Sequence, residues 1–358
     1  MIEVPEQWAS AVRAATQSGC PLRIRGGGTK DFYGHNCDGE LLDTRAYAGI
    51  VDYEPSELVV TARCGTRLAE LELVLAASGQ MLAFEPPHFG ADATVGGMVA
   101  AGLSGPRRQA AGALRDYVLG VKILDGNADI LAFGGQVMKN VAGYDVSRLM
   151  AGSLGTLGII LEVSLKTQPV PVAQATLRFD LPEEKAVALL NRWHGRPLPV
   201  SASVWHDGDL SVRLSGAAAA VKAAVASLGG ERMDDEQATH LWTSIREHTT
   251  PFFRVDVPLW RLSVPSSLPV DAIGLDRHGE RLIEWGGALR WVAGHVDGRV
   301  LREAVAEVGG HATLFRGLDK TSGVFQALPP ALMGIHRNIK SAFDPHGIFN
   351  AGRMYPGL

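Results

Sequence analysis

The chain has 358 residues, 46% of them hydrophobic and 20% charged, which suits a large core and two domains more naturally than one. A formal net charge of -4 leaves no basic footprint, so nucleic acid is not an expected partner. The three cysteines, Cys20, Cys37 and Cys64, stand far apart without a Cys-x-x-Cys pair. They make neither a disulfide framework nor the four thiolates of an iron–sulfur cluster, and a reduced, cytoplasmic setting is the expectation. The opening MIEVPEQWASAVR does not have the basic start and apolar run of a signal peptide. No apolar run approaches the ~20 residues that span a bilayer, so direct membrane insertion is not expected and any membrane contact would come through a partner.

In chain order, Pro5 suits a first helical position, and Trp8, Val12 and Ala15 recur at helical spacing before Gly19. The strand PLRIR runs straight into the glycines at 26–28. Two short β-rich runs follow near 50–54 and 58–63. A helix is predicted over 67–78, with Leu68, Leu71 and Leu75 on one face and Gly79 as its stop. From 81 to 168 the texture turns to small residues, with strands expected at 118–124 and 129–133 and in GIILEVSLKT. Next come a strand in TLRFD, a helix in EKAVALLNRW, a hairpin of SASVW and LSVRL over Asp207-Gly208-Asp209, and a helix in AAAAVKAAVASL. This is a βαββα unit. A second is expected from 252 to 317, with strands at 258–264, 281–285, 288–293 and 312–316 and a helix at 297–308. A helical bridge over 233–250 would join the units, and their strands could share one antiparallel sheet. The tail, 328–358, has a short helix and then the Pro and Gly content of a strap returning to another domain.

Three glycine-rich segments could carry chemistry. Arg25-Gly26-Gly27-Gly28-Thr29 follows a strand directly, and successive glycines let backbone N–H groups turn inward as an anion nest. An ordinary surface turn has the same composition. The pattern is neither G-x-G-x-x-G nor a P-loop. In the second segment, Thr94-Val95-Gly96-Gly97 opens a run of small residues whose free N–H groups could meet a pyrophosphate, although close packing also favours small residues. Ser104 and Gly105 prolong this lining. The third segment runs from Gly143-Tyr144-Asp145 to Gly152-Ser153-Leu154-Gly155-Thr156-Leu157-Gly158-Ile159-Ile160. Its spaced glycines suit backbone against a flat ring, or a series of turns.

RGGGT, PPHFGADATVGGMVAAGLSG, RDYVLGVKILDGNADIL and GYDVSRLMAGSLGTLGII, in that order, resemble the FAD domain of the vanillyl-alcohol oxidase/p-cresol methylhydroxylase (PCMH) superfamily. The order resembles the branch of D-lactate and glycolate dehydrogenases, and HATLFRG and FDPHGIFNAGRM look like its closing segments, most of all those of glycolate oxidase E subunits. The resemblance implies a two-domain α+β PCMH-type fold. An FAD domain at 1–168, in lobes of about 1–80 and 81–168, would precede an antiparallel-sheet cap of ferredoxin-like halves at 169–318 and a strap at 319–358. Arg25, Gly26, Gly27, Gly28 and Thr29 would hold the pyrophosphate with Thr94, Gly96 and Gly97. Gly102, Ser104 and Gly105 would line the flavin and ribitol side. Gly158, Ile159 and Ile160 would offer backbone to the isoalloxazine or adenine half. Asn350 and Arg353 would approach from the cap side.

The resemblance also implies function: an FAD-binding subunit of a complex that oxidises glycolate to glyoxylate. A sister flavin subunit and an iron–sulfur subunit would be its partners, placing it in the cytoplasm or peripherally at the inner membrane. No histidine stands in the first loop, so the FAD should be non-covalent. The histidine motifs H-x-x-x-G-N-x-H and E-H-G of self-sufficient relatives do not occur, so no metal site is expected and no base stands out. His295 and His311 are isolated candidates, although a lone histidine at a strand edge is more often a structural hydrogen-bonder, and Arg290 and Arg316 are candidate carboxylate clamps, although a surface arginine is the commoner case. Arg107-Arg108 could meet a phosphate, a partner or only solvent. Two rivals remain at this stage: a stand-alone FAD-dependent D-2-hydroxy-acid dehydrogenase, and a flavin-free structural subunit.

Overall fold

The computed structural model describes residues 4–135, 145–274 and 279–358. Helix Val4–Ser18 buries Trp8, Val12 and Ala15 along one stripe, and Gly19 ends it at φ 68°, where a left-handed turn favours glycine. The strand Leu22–Arg25 pairs in parallel with Glu40–Asp43, a strand absent from the sequence reading. In that strand ELLD buries only Leu42, so it carries no apolar alternation to announce it.

Strands Ile50–Glu54 and Val59–Arg63 do not close a sheet of their own. They continue a five-stranded antiparallel sheet, in the order 50–54, 59–63, 159–166, 118–124, 130–134. Its central strand, Ile159–Lys166, is buried along all but its last residue, as its nearly unbroken apolar run suggests. Helix Leu68–Ala77 covers the core with Leu68, Leu71 and Leu75.

The rest of the chain builds an eight-stranded antiparallel sheet. Its order is 231–232, 173–180, 209–216, 200–206, 280–284, 289–293, 259–263, 311–316. The two βαββα patterns therefore join edge to edge through Val200–His206 and Glu280–Glu284. Helices Glu183–His194 and Ala218–Leu228 cover the outer face of one half, and Gly298–Glu307 covers the other. The inner face turns toward the amino-terminal half. There Val204, Leu259, Trp291 and Phe315 meet Tyr33, Leu103 and Leu154 in one buried cluster. This is the α+β fold expected, with the strands of both βαββα patterns in one antiparallel sheet.

After helix Pro330–Phe343 the chain returns to the first strand. Leu22 N donates to Ile348 O (2.7 Å), and Asn350 N donates to Leu22 O (3.0 Å). A buried ion pair pins the return: Lys340 Nζ lies 2.6 Å from Asp344 Oδ2 and donates to Thr156 O and Phe349 O.

Candidate cofactor site

Strand Leu22–Arg25 delivers the chain into Gly26–Thr29. The backbone N–H groups of Gly26, Gly27, Gly28 and Thr29 donate to no acceptor among the described residues. Four consecutive unsatisfied donors form an anion nest. The glycines are needed for close approach: a Cβ at Gly27 would lie 1.5 Å from the Asp92 carbonyl oxygen, and one at Gly26 would lie 2.4 Å from Thr94 Oγ1. The loop thus presses onto the second glycine segment.

Gly26–Thr29 line a cavity of about 410 Å³ together with Thr94, Gly97, Leu154, Asn350 and Arg353. Its charged lining is basic on balance, with Arg23, Arg25, Lys30 and Arg353 against Asp31 and Asp38. Arg25 Nε donates to Asp31 Oδ2 (2.6 Å). Lys30 Nζ donates to His88 O (3.1 Å), and burial pulls its amine down to about 8 against the attraction of Glu247.

The second segment corrects one expectation. Its N–H groups are not free: Val95 donates to Thr66 O, Gly96 to Cys64 O and Gly97 to Thr94 Oγ1. Gly96 is small because a Cβ there would sit 2.7 Å from Cys64 Cβ, and it does not line the cavity. Gly102 ends helix Val95–Ala101 at φ 65° and packs on Gly152, also away from the cavity. Gly158 packs on the Leu124 carbonyl, and Ile159 and Ile160 pair with Leu124 and Ile123 inside the sheet. Gly143 and Tyr144 lie outside the described residues.

Asn350 spends its side chain on the scaffold. Its Oδ1 accepts from Ile24 N (2.8 Å), and its Nδ2 donates to Leu154 O (2.7 Å). Arg353 Nη2 donates to Tyr33 O (3.0 Å). The tail thereby fixes one rim of the cavity to the first strand and the third glycine segment.

Ser104 and Gly105 border a second, buried space of about 20 Å³ between the two sheets. Sequence reasoning missed the groups around it: His248, Arg261 and Glu284. His248 stacks on Phe253 at 3.9 Å between centroids; its Nδ1 is unpartnered, and burial pushes its pKa well below the ordinary range. Burial raises Glu284 to about 7, although its carboxylate accepts from Trp291 Nε1 (2.8 Å) and faces Arg261. The Arg261 guanidinium makes no hydrogen bond among the described residues and lies 5.2 Å from the Trp285 ring. Strand alternation held a usable signal, since Arg261 shares the parity of buried Leu259.

The four catalytic candidates are scattered. His295 and His311 are exposed. Arg290, 1% exposed, donates to the carbonyls of Gly287, Pro269 and Leu268 on the outer side of the sheet, so it is no clamp facing the glycine loops. Arg316 alone reaches the first loop region, 4.9 Å from the Phe32 ring, and donates to Phe253 O. Among the described residues no group of three His, Cys, Asp or Glu could hold a metal.

Residues 2–134 match the FAD binding domain family. The chain is 46% identical over 347 residues to glycolate oxidase subunit GlcE of Escherichia coli, covering 97% of this chain and 96% of that one. It is 34% identical over 161 residues to glycolate oxidase subunit GlcD of Bacillus subtilis, covering 44% of this chain and 34% of GlcD. An alkyldihydroxyacetonephosphate synthase structure superposes with a TM-score of 0.68 at 15% identity, covering 96% of this chain and 75% of that one, a likeness of fold. The chain carries an FAD-binding domain and belongs to the family of the glycolate oxidase subunit GlcE.

Proposed function

We propose that this chain is the FAD-carrying subunit of a glycolate-oxidising complex, with a sister flavin subunit and an iron–sulfur subunit as partners. The observation that carries the reading is the run of four unsatisfied N–H groups at 26–29 in a basic cavity, which fits a pyrophosphate. Gly26–Thr29 would hold it directly, Thr94 and Gly97 would wall it, and Arg25, Lys30 and Arg353 would supply positive charge. No histidine stands at 25–29, and the nearby His35 and His88 are engaged with Val324 N and Glu72, which supports non-covalent binding. Bound FAD supplies a two-electron acceptor for oxidising glycolate to glyoxylate.

Among the described residues, His248, Arg261 and Glu284 gather beside Ser104 and Gly105, whereas the four candidates named from sequence do not line that space. The space beside Ser104 and Gly105 is small, about 20 Å³, against about 410 Å³ at Gly26–Thr29. The histidine candidates are exposed, and Arg290 is committed to carbonyls. In this reading the sister subunit oxidises the substrate and the iron–sulfur subunit carries the electrons onward. Cys64 is buried, with its thiol pushed up to about 12, and is no cluster ligand. No helix among the described residues is long and apolar enough to cross a membrane.

The test is dye reduction with glycolate, on the purified chain and on the co-expressed complex. The expected result is turnover in the complex and at least ~10²-fold less in the single chain, the range expected without a general base. Equal turnover would contradict the subunit reading and favour a stand-alone dehydrogenase.

A further inference from the structure

Arg107, singled out in sequence beside the second glycine segment, does not line the cavity at Gly26–Thr29. It is 7% exposed and meets Arg213 of strand Asp209–Gly216, itself 6% exposed. Both guanidiniums converge on one carboxylate. Arg213 Nη2 donates to Glu85 Oε2 (2.9 Å), Arg107 Nε to Glu85 Oε1 (3.3 Å) and Arg107 N to Glu85 Oε2 (2.9 Å). Their other bonds are neutral: Arg213 Nε donates to Ser201 Oγ, and Arg107 Nη2 donates to Gln174 Oε1.

Two buried cations therefore face one half-buried anion. The neighbouring charges have partners of their own: Arg246 and Asp235, which also line the cleft, lie 2.7 Å from Glu247 and 3.6 Å from Arg232, and Glu284, within reach of Glu85, faces Arg261. An uncompensated buried positive charge costs several kcal/mol unless an anion or water reaches it. Here something can. The Nη1 atoms of Arg107 and Arg213 make no hydrogen bond among the described residues and are not sealed from solvent. Both arginines line an open cleft of about 460 Å³, walled by Trp242, Thr239 and Thr243. It shares no lining residue with the cavity at Gly26–Thr29.

We propose that this cleft is a binding site for a small monocarboxylate anion, seated across the free guanidinium edges of Arg107 and Arg213. The charge count selects the ligand class. One negative charge neutralises the cluster, whereas phosphate carries between one and two near neutral pH. A planar carboxylate also matches guanidinium edges, as Glu85 already does on the other side of the same pair. The rest of a small acid would lie against the Trp242 ring, above which Arg213 stands at 5.0 Å. The site is independent of the flavin reading, since the cluster is complete without any residue of the flavin cavity.

The experiment is a titration of the full-length chain with sodium acetate and sodium glycolate, following tryptophan fluorescence at constant ionic strength set by chloride. Flavin content is recorded separately, so loss of FAD and loss of anion binding are read apart. A saturable change is expected, absent in Trp242→Phe, with phosphate weaker. Arg213→Gln should raise the dissociation constant by at least about tenfold. Because Arg213 also ties the large sheet to Glu85, Thr239→Glu serves as the second variant. It adds a competing charge on an exposed wall of the cleft and leaves the arginines untouched, so binding should be lost from a protein of unchanged melting temperature. A response that does not saturate, one retained in Thr239→Glu, or phosphate binding as tight as acetate would overturn the proposal.

Discussion

Gly27 and Gly97 are both small, for different reasons. A side chain at Gly27 would strike the Asp92 carbonyl, so this residue is needed for the fold. At Gly97 the nearest atom to an added Cβ is Thr94 Oγ1 at 3.1 Å, and the remaining space is the cavity. Gly97→Val should therefore give soluble protein that has lost FAD affinity by more than about tenfold. Flavin content after gel filtration measures this, and full flavin retention would remove Gly97 from the site. Lys30 makes a pH prediction. Its amine is held down to about 8 by burial, and a bound pyrophosphate alongside would raise it. Binding then takes up a proton above pH 8, so FAD affinity should be highest below 8 and fall as pH rises through it. Lys30→Met should flatten that dependence in fluorescence titrations between pH 7 and 10; an unchanged slope in the variant would exclude Lys30. The place of the first loop, directly after a strand, was legible in the sequence, whereas its use was not, because an ordinary turn has the same composition. The roles of Gly96 and Gly97 were not, since their N–H groups are spent on Cys64 and Thr94, a pairing that only the folded chain reveals.

Among elements, the tail after helix Pro330–Phe343 holds the cavity rim together. Asn350→Ala removes the acceptor of Ile24 N and the donor to Leu154 O, leaving two enclosed backbone groups short of partners. The expected cost is roughly 2–4 kcal/mol, read as a lower midpoint in urea unfolding, accompanied by weaker flavin retention. An unchanged midpoint would show that the staple is dispensable. Most elements could be read along the chain because each carries its own period: Trp8, Val12 and Ala15 on a helix, and the apolar run 159–165 on a central strand. Strand Glu40–Asp43 could not, because its residues are mostly exposed and its partner is fixed by parallel pairing with Leu22–Arg25. The polar cluster at His248, Arg261 and Glu284 was hidden for another reason. It is assembled from a helix end and two strands that become neighbours only when the inner face of the large sheet meets the amino-terminal half.

For the molecule as a whole, that junction is where stability and pH should be coupled. Burial raises Glu284 to about 7 in the fold, against an ordinary value of 4.5. A raised carboxyl contributes stability fully below its unfolded pKa, and this is lost as pH rises through the folded value. Unfolding free energy from this group should fall between about pH 4.5 and 7, and Glu284→Gln should remove that fall. Urea titrations at pH 5 and pH 8 compare the two proteins; parallel behaviour would mean that Glu284 is not buried as described. The central claim concerns the other end of the same architecture, where Gly26–Thr29 offer free N–H groups to a non-covalent FAD. Acid precipitation of the purified, full-length chain tests it most directly. One FAD per chain is expected, released entirely into the supernatant. A colourless protein that takes up no added FAD, or yellow colour that stays with the pellet, would contradict it.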